Sequence, residues 1–338
     1  MAVTEGTRSS GGSAKLGRQP TGDAPGPRRL SGWCVQVACS RGSVRSGFKR
    51  DQARSAFVDP PPTSLVATLP AVARKDIRNR PRATTLRHSL TGPGRPWRRL
   101  DVVEETGSTN ADLLARAAAG EDIDGAVLSA ESQTAGRGRH GRSWSTPPGS
   151  QVALSAGVGV GGVPSDAWGW LPLLTGVAVV DAVAEVAGVT AGLKWPNDVL
   201  VGAWKLAGIL VEVAAPKPVV VIGLGLNVTE APDPAATSLL MLDAPADRTK
   251  LAEAVLRHLA ARIASWRAAA GADAALAADY RSRSVTIGNR VRASLPGDRA
   301  VEGVAVDVDE LGRLRIDTGE ELLTVSAGDI THLRPASP

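Results

Sequence analysis

Apolar residues recur at helical spacing in five segments, all of them after about residue 85. Apolar positions three and four residues apart form one face of an amphipathic helix. The predicted helices are Leu86–Thr91, the run from Thr109 to Ala119, Leu173–Ala187, Leu251–Trp266 and Ala274–Tyr280. The segment Thr109–Asp112 has the pattern of a capping box, and Gly120 is placed to end the helix that follows it.

Shorter runs rich in β-branched residues predict strands between these helices. They are Leu100–Val103, Val127–Ser129, Val152–Val160, Val199–Val201, Leu206–Val213 and Pro218–Val228. The two runs on either side of Gly202-Ala203 are typical of a hairpin. From Val285 onwards, short β-branched runs alternate with turn sequences over about fifty residues, which is typical of a small β-barrel. The pattern predicts an α+β chain, with a mixed α+β domain over about 85–280 and a small SH3-like β-barrel over about 285–335.

Residues 1–80 are rich in Arg, Ser, Gly and Pro and show no sustained periodicity. This composition cannot bury enough apolar surface to offset the entropy lost on ordering, so we expect a disordered basic leader. Two alternatives are sequence upstream of the true start and an Arg-rich transit peptide. No stretch of the chain is predicted to span a membrane.

The net charge of +5 is unevenly distributed along the chain. Residues 1–100 carry 19 Lys and Arg against 5 Asp and Glu, whereas the remainder carries 20 against 29. The folded part is therefore acidic, and a basic body that binds nucleic acid is not supported. Both cysteines, Cys34 and Cys39, lie in the leader, which excludes disulfides and cysteine nucleophiles from the rest of the chain. A cytoplasmic location fits this cysteine usage.

The segment Gly136–Trp144 alternates glycines with three arginines. Arginines this close together repel one another, and glycines leave the backbone without a preferred shape. Arginine forks and nearby backbone N–H groups suit a phosphate or carboxylate. The segment therefore predicts a cationic loop that is disordered alone and becomes ordered around an anion. The alternatives are a solvated basic loop or a nucleic-acid patch.

Three further segments carry candidate chemistry: Lys194–Val201, Lys205–Glu212 and Val219–Val228. The last two are apolar runs of strand length that contain glycine. Glycine inside a strand often marks the close approach of a ligand or of another backbone. The two strands together predict a slot for a flat small molecule, with ordinary sheet packing and bulges as the alternative.

Six segments, in this order and spacing, resemble the biotin protein ligase family. They are Thr106–Asn110, Glu131–Gly136, Gly136–Trp144, Lys194–Val201, Lys205–Glu212 and Val219–Val228. The resemblance covers about residues 85–335 and implies the same plan, a mixed-sheet catalytic domain followed by the barrel. It also implies a ligase that forms biotinyl-5′-AMP from biotin and ATP and then transfers biotin to one lysine of a carrier domain. Mg²⁺ is expected to neutralise the pyrophosphate leaving group.

The resemblance implies three catalytic residues. Lys205 is the principal one, because an ammonium there can bridge the biotin carboxylate and the α-phosphate; the alternative is an ordinary exposed lysine at a strand end. Arg139 is expected to clamp the carboxylate and phosphates through paired N–H bonds. Asp198 is expected to bind Mg²⁺ or to orient the incoming lysine amine, with turn capping as the alternative.

The predicted biotin site combines polar groups that match the ureido ring with glycines that let the bicycle lie against backbone. Its members are Ser108, Thr109, Asn110, Gln133, Gly136, Arg137, Gly138, Arg139, Lys205, Gly208, Gly223 and Gly225. For Ser108 and Thr109, the alternative is helix capping.

The predicted ATP site overlaps the biotin site and shares its cations. Its members are Arg137, Arg139, Arg142, Trp144, Lys194, Lys205 and Asn227. Trp144 is expected to stack on adenine or to anchor the end of the loop. Lys194 is expected to meet phosphates or to pair with an acid, and Asn227 to contact adenine or simply to end its strand.

The resemblance implies a carrier-domain partner, from acetyl-CoA, acyl-CoA or pyruvate carboxylase. We expect a monomer or weak homodimer, and no DNA or membrane partner. Some relatives carry a helix-turn-helix and act as repressors, but the leader is too rich in Pro, Gly and Arg for three packed helices. The rival classes are a lipoate or octanoate ligase of the same fold, which lacks the arginine–glycine loop, and a nucleic-acid-binding protein. Aromatic residues for base stacking make up only 3% of the chain, which disfavours the latter.

Overall fold

Seven strands build a mixed sheet at the centre of the fold. They are β1 (Arg99–Thr106), β2 (Ala126–Gln133), β3 (Gln151–Gly159), β4 (Gly192–Lys194), β5 (Asp198–Val201), β6 (Trp204–Ala214) and β7 (Val219–Asn227). Their order across the sheet is β1-β2-β3-β7-β6-β5-β4. Strand β1 runs parallel to β2, and all other neighbouring strands are antiparallel. The coordinates are a computed structural model that describes residues 81–216, 218–231, 233–295 and 299–326, and the backbone of 329–332. The leader and its two cysteines lie outside the described residues.

In the described residues, five α-helices accompany the sheet: α1 (Ala83–Leu90), α2 (Thr109–Ala118), α3 (Trp170–Ala187), α4 (Arg248–Ala268) and α5 (Ala274–Arg283). Helix α3 packs against α4 and α5 over one face of the sheet. Helix α2 packs on the opposite face in a smaller cluster with Leu128 and Val221. The helices and strands predicted from the pattern are confirmed, with ends that shift by a few residues; strand β4 was missed because three residues carry no periodicity.

Helix α3 belongs to a segment, Ser165–Ala187, that is long and apolar enough to cross a membrane. Length and composition alone do not distinguish such a segment from the core helix of a globular domain. Most of this segment is buried inside the fold, where α3 forms the centre of the main apolar core. A helix that is apolar on all sides occurs in the core of a large domain as well as in a membrane.

The N-terminus of α2 is capped by Ser108, one residue earlier than the capping-box pattern indicates. Its Oγ accepts a hydrogen bond from the Ala111 N–H at 3.4 Å, and its backbone is extended, as an N-cap requires. Thr109 is already helical and turns its hydroxyl inwards. This shift of one residue leaves Thr109 and Asn110 facing the sheet.

A five-stranded antiparallel sheet follows the last helix. Its strands are β8 (Arg290–Leu295), β9 (Arg299–Val308), β10 (Leu314–Asp317), β11 (Leu322–Val325) and β12 (Asp329–His332), in the order β11-β10-β9-β8-β12. Two indole N–H groups bind the loop between β9 and β10 to the preceding domain: Trp170 of α3 donates to the Glu310 carbonyl at 2.7 Å, and Trp195, after β4, donates to the Gly312 carbonyl at 3.0 Å. The main core runs continuously from α3 into the inner residues of this sheet. The α+β fold with a small C-terminal β-domain is confirmed, while the boundaries at 280 and 285 stay a prediction.

Candidate active site

The candidate site lies on the face of the sheet that carries α2. Beyond α2, the strand positions that point to this face are glycines and not apolar side chains. In β7, Val220, Ile222, Leu224 and Leu226 enter the main core. Because successive residues point to opposite faces, Val219 and Val221 pack under α2 and the next positions on that face are Gly223 and Gly225. We call this surface, formed by β3, β6 and β7 beyond α2, the site face.

Trp144 covers two glycines of the site face. Gly208 and Gly225 are cross-strand partners, and a Cβ on Gly225 would overlap the Trp144 indole. A Cβ on Gly208 would lie 3.1 Å from the same ring and 3.1 Å from Lys205 Nζ. The Trp144 N–H donates to Gln151 Oε1 at 2.7 Å, which fixes the ring in its plane. In this structure the absence of side chains at the two glycines lets the Trp144 indole pack against the strands. The contact of these glycines with biotin stays a prediction.

Lys205 and Asp198 form an ion pair whose ammonium lies over the Trp144 ring. Lys205 Nζ lies 2.6 Å from Asp198 Oδ1 and 5.4 Å from the ring centroid, a cation–π distance. The lysine backbone is held by Ala235 and Thr237, at 3.1 Å and 2.9 Å. Lys205 is therefore a partly buried, fixed cation rather than a free strand-end lysine. Asp198 is its counter-ion, a role that the sequence did not predict.

The cationic loop, Gly136–Trp144, is bound through its first two arginines to β6 and to the turn between β4 and β5. Arg137 Nη2 donates to Glu212 Oε2 at 2.8 Å, and Arg139 Nη1 donates to Asn197 Oδ1 at 3.1 Å. The loop also closes on itself, because Gly138 N donates to the Arg142 carbonyl and Trp144 N to that of Gly136. A Cβ on Gly136 would overlap the Trp144 carbonyl, so this hairpin requires glycine there.

Polar side chains predicted to meet the ureido ring form one buried chain of hydrogen bonds. Thr109 donates to Gln133 Oε1 from its backbone at 2.9 Å, and its hydroxyl lies 2.7 Å from Ser155 Oγ. Ser155 donates to Asn110 Oδ1 at 2.5 Å, and Asn110 Nδ2 donates to Glu212 at 2.9 Å. Ser108 stands outside this chain because its side chain caps α2. The structure thus brings Thr109, Asn110 and Gln133 together. Ser108 caps α2, as the alternative for this residue stated.

Two members of the predicted ATP site have different surroundings. Lys194 ends β4 directly opposite Asp198, and within the described residues its ammonium has no hydrogen bond or ion pair. Asn227 is buried, and its Nδ2 donates to the Thr237 carbonyl at 3.0 Å. Asn227 Oδ1 is buried and has no hydrogen-bond partner among the described residues. Arg142 lies on the exposed outer side of the loop.

Comparisons with known proteins agree with this geometry. Residues 107–228 match the Biotin/lipoate A/B protein ligase family, and residues 286–333 match the Biotin protein ligase C terminal domain. A biotin–[acetyl-CoA-carboxylase] ligase of Mycobacterium tuberculosis is 58% identical over 257 residues, which are 74% of this chain and 95% of that protein. The chain belongs to the biotin protein ligase family.

Two more distant members of the biotin protein ligase family support the assignment. The bifunctional ligase/repressor BirA of Bacillus subtilis is 31% identical over 242 residues, which are 68% of this chain and 72% of that protein. A solved structure of the biotin protein ligase from Aquifex aeolicus in complex with biotin and ATP has a TM-score of 0.61 and 25% identity. It covers 71% of this chain and 100% of that one. The predicted family and fold are confirmed.

Several residues at or next to the candidate site of this family member were not singled out from its sequence. The site face also carries Glu212, Ser155 and Gln151. Alternate residues of a strand share a face, so the even-numbered spacing from Gly208 on β6, and the pairing of β3 with Gly223 and Gly225 of β7, are the signals that would have found them. Arg248 and Glu131 form a buried ion pair of 2.8 Å behind Gln151, whose carbonyl accepts from Arg248 Nε at 2.7 Å. No local pattern marks Arg248, because it is the first residue of α4 and its partners lie on β2 and β3.

A preformed metal site is not found in the described part of this ligase. No group of three His, Cys, Asp or Glu side chains converges there. Asp198, the residue predicted to bind Mg²⁺, is instead paired with Lys205. Mg²⁺ is usually held by one or two carboxylates together with substrate phosphates, so the metal role of Asp198 stays a prediction, and no chemical step is assigned to a metal.

Proposed function

We propose that this chain is an ATP-dependent biotin ligase. In the first step, a carboxylate oxygen of biotin attacks the α-phosphorus of ATP and pyrophosphate leaves, which yields biotinyl-5′-AMP. In the second step, a lysine amine of a carrier protein attacks the acyl carbon, AMP leaves and the nitrogen loses a proton. The observation that carries the proposal is the cluster of Lys205, Arg137 and Arg139 around an indole-covered glycine face, beside a buried amide and hydroxyl chain.

Lys205 supplies the fixed positive charge that the first step requires. Negative charge accumulates on the α-phosphate oxygens as the carboxylate attacks, and a preorganised cation stabilises that state more than the ground state. The pair with Asp198 holds the ammonium in place. An arriving carboxylate or phosphate can share the same ammonium, because it has three donors.

The remaining members of the site would bind and enclose the substrates. Arg137, Arg139 and Arg142 are proposed to contact the carboxylate and phosphates, with Gly136 and Gly138 letting the loop close. Trp144 is proposed to pack against the adenylate, and Asn227, whose buried Oδ1 has no partner among the described residues, to contact the adenine. Lys194, whose ammonium lacks a protein partner in the described residues, is proposed to meet a nucleotide phosphate.

The acceptor is proposed to be a biotin carboxyl carrier domain. The named activity of the M. tuberculosis relative, ligation to acetyl-CoA carboxylase, supports such a domain. A carrier from an acyl-CoA or pyruvate carboxylase, a Mg²⁺ requirement, a monomeric or weakly dimeric state and a cytoplasmic location stay predictions. Asp198, adjacent to Lys205, is proposed to orient the incoming amine.

Biotin-dependent exchange between pyrophosphate and ATP tests the first step. We expect exchange only when biotin is present, followed by label transfer from biotin to a carrier domain. A parallel reaction with lipoate separates the rival ligase activity, since a lipoate ligase would exchange with lipoate and not with biotin. Absence of biotin-dependent exchange in the folded protein contradicts the proposal.

A further inference from the structure

Glu212 connects the cationic loop to helix α2 through a single carboxylate oxygen. Its Oε2 accepts from Arg137 Nη2 at 2.8 Å and from Asn110 Nδ2 at 2.9 Å. The side chains of Glu212 and Arg137 are 26% and 43% exposed, so the bond to Asn110 is partly buried and the bond to Arg137 is exposed to water. A charge-assisted bond in such surroundings is stronger than one between neutral groups.

The Asn110 side chain, which donates to Glu212, is itself held in place by two further hydrogen bonds. It therefore restricts the position of the Glu212 carboxylate. Asn110 Oδ1 accepts from Ser155, and its Nδ2 also donates to the Leu210 carbonyl at 3.3 Å. The amide lies over Gly223, where a Cβ would overlap Asn110 Oδ1. Both amide hydrogens therefore have acceptors, and turning the amide over would break the bonds at each end.

We propose that Glu212 is a positioning residue, which holds Arg137 over the site and neutralises one of the three loop arginines before any ligand binds. The inference rests on the proposed ligase function, because Arg137 is there assigned to the substrate carboxylate. Arginine has five N–H donors, and the bond through Nη2 leaves others for a ligand. Glu212 acts through Arg137 and not on the reacting atoms.

The proposal predicts that the charge of Glu212 affects binding more than chemistry. In Glu212→Gln, the amide oxygen can still accept from Asn110, but Arg137 loses its counter-ion. The loop is then less ordered before binding, so part of the binding free energy is consumed in ordering it. We expect the KM for biotin to rise about tenfold, with kcat within about threefold of wild type.

Trypsin provides a measurement that does not depend on activity. The loop contains Arg137, Arg139 and Arg142, and proteolysis of a folded protein follows local opening. We expect the unliganded Glu212→Gln protein to be cleaved at these sites several times faster than wild type, as followed by mass spectrometry. Glu320→Gln, in the exposed turn between β10 and β11, is the matched control and should cleave at the wild-type rate. Glu212→Asp keeps the charge and should cleave more slowly than Glu212→Gln.

The two measurements distinguish the possible failures. Equal cleavage rates and equal biotin KM values in Glu212→Gln and Glu320→Gln overturn the positioning role. A fall in kcat at unchanged KM also overturns it, because Glu212 would then act in the chemical step. If Glu212→Gln unfolds, Arg137→Gln tests the same tether from the other end, by cleavage after Arg139 and Arg142. A wild-type protein without biotin-dependent exchange contradicts the ligase function, and a faster cleavage of Glu212→Gln would still support the tether.

Discussion

Lys205 Nζ lies 2.6 Å from Asp198 Oδ1. The two residues lie on β6 and β5, the paired strands of one hairpin. A register shift between Val199 and Leu200 places Lys205 opposite Leu200 and Asp198 opposite Gly208. The pair sits beside the Trp144 ring and not in open solvent. A cation that is already paired and oriented costs little reorganisation when charge develops next to it.

Lys205→Ala should nearly abolish adenylate formation while the fold is retained. Loss of one preorganised donor at a developing charge costs about 10²–10³ in rate. Pyrophosphate exchange measures the loss, and Lys250→Ala, at an exposed lysine of α4, is the control. Exchange within a few-fold of wild type would remove Lys205 from the mechanism.

Gly225→Ala should displace Trp144 and reduce activity. The added methyl would overlap the indole, and overpacking of this kind costs about 1–3 kcal/mol. We expect a lower Tm and at least about tenfold slower exchange, which corresponds to about 1.4 kcal/mol. Gly161→Ala is the matched control, because no atom lies within 4 Å of its added methyl. Equal behaviour of the two variants would show that the ring position is irrelevant.

Arg248→Met should destabilise the fold strongly, because it leaves Glu131 as a buried charge without its partner. The Arg248 side chain is 0% exposed and that of Glu131 12%. Breaking a buried pair costs about 3–5 kcal/mol, whereas an exposed pair contributes about 0–1 kcal/mol. Denaturant unfolding of Arg248→Met should therefore differ clearly from that of Arg257→Met, which breaks the exposed pair with Glu185. Similar losses in both variants would contradict this ranking.

The pairing of Asp279 with Arg262 should stabilise the fold only above acidic pH. Burial raises the pKa of Asp279, but the hydrogen bond and charge of Arg262 outweigh burial, so the pKa lies below its ordinary 3.8. Such a carboxylate stabilises the folded state above its ordinary pKa, and the contribution is lost as the pH falls through the lowered value. The difference in unfolding free energy between wild type and Arg262→Gln should be constant near neutral pH and shrink below about pH 4. Arg290→Gln, at an exposed arginine, should show no such trend; a difference that grows on acidification would reverse the assigned sign.

The bonds of Arg137 to Glu212 and of Arg139 to Asn197 already give the cationic loop some order, and binding of biotin and ATP should order it further. Ordering costs about 1–2 kcal/mol per residue, and bonds between the arginines and the ligand offset it. A closed loop would shield the mixed anhydride from water, so Arg139→Gly should release adenylate and label bystander lysines. Hydrogen exchange of 136–144 is the measurement, and equal, fast exchange with and without the adenylate would contradict the transition.

The sequence by itself determined the secondary structure and the family. Periodicity of apolar residues identified α3 and α4, and glycines within β6 and β7 marked the surface on which the site lies. These signals are local, since the backbone period decides which side chains share a face. The resemblance to the ligase family, and not periodicity, implied a common role for Lys205, Arg137 and Arg139, and that role stays a prediction.

The tertiary structure alone decided the partner of each polar side chain. Arg137 and Glu212 are 75 residues apart, and Arg248 and Glu131 are 117 apart. Their contact depends on strand order and register, and a slip of one residue would turn Glu212 to the opposite face. For the same reason Ser108 became the cap of α2 and Asp198 the counter-ion of Lys205, since a side chain's role follows from the groups within hydrogen-bonding distance of it.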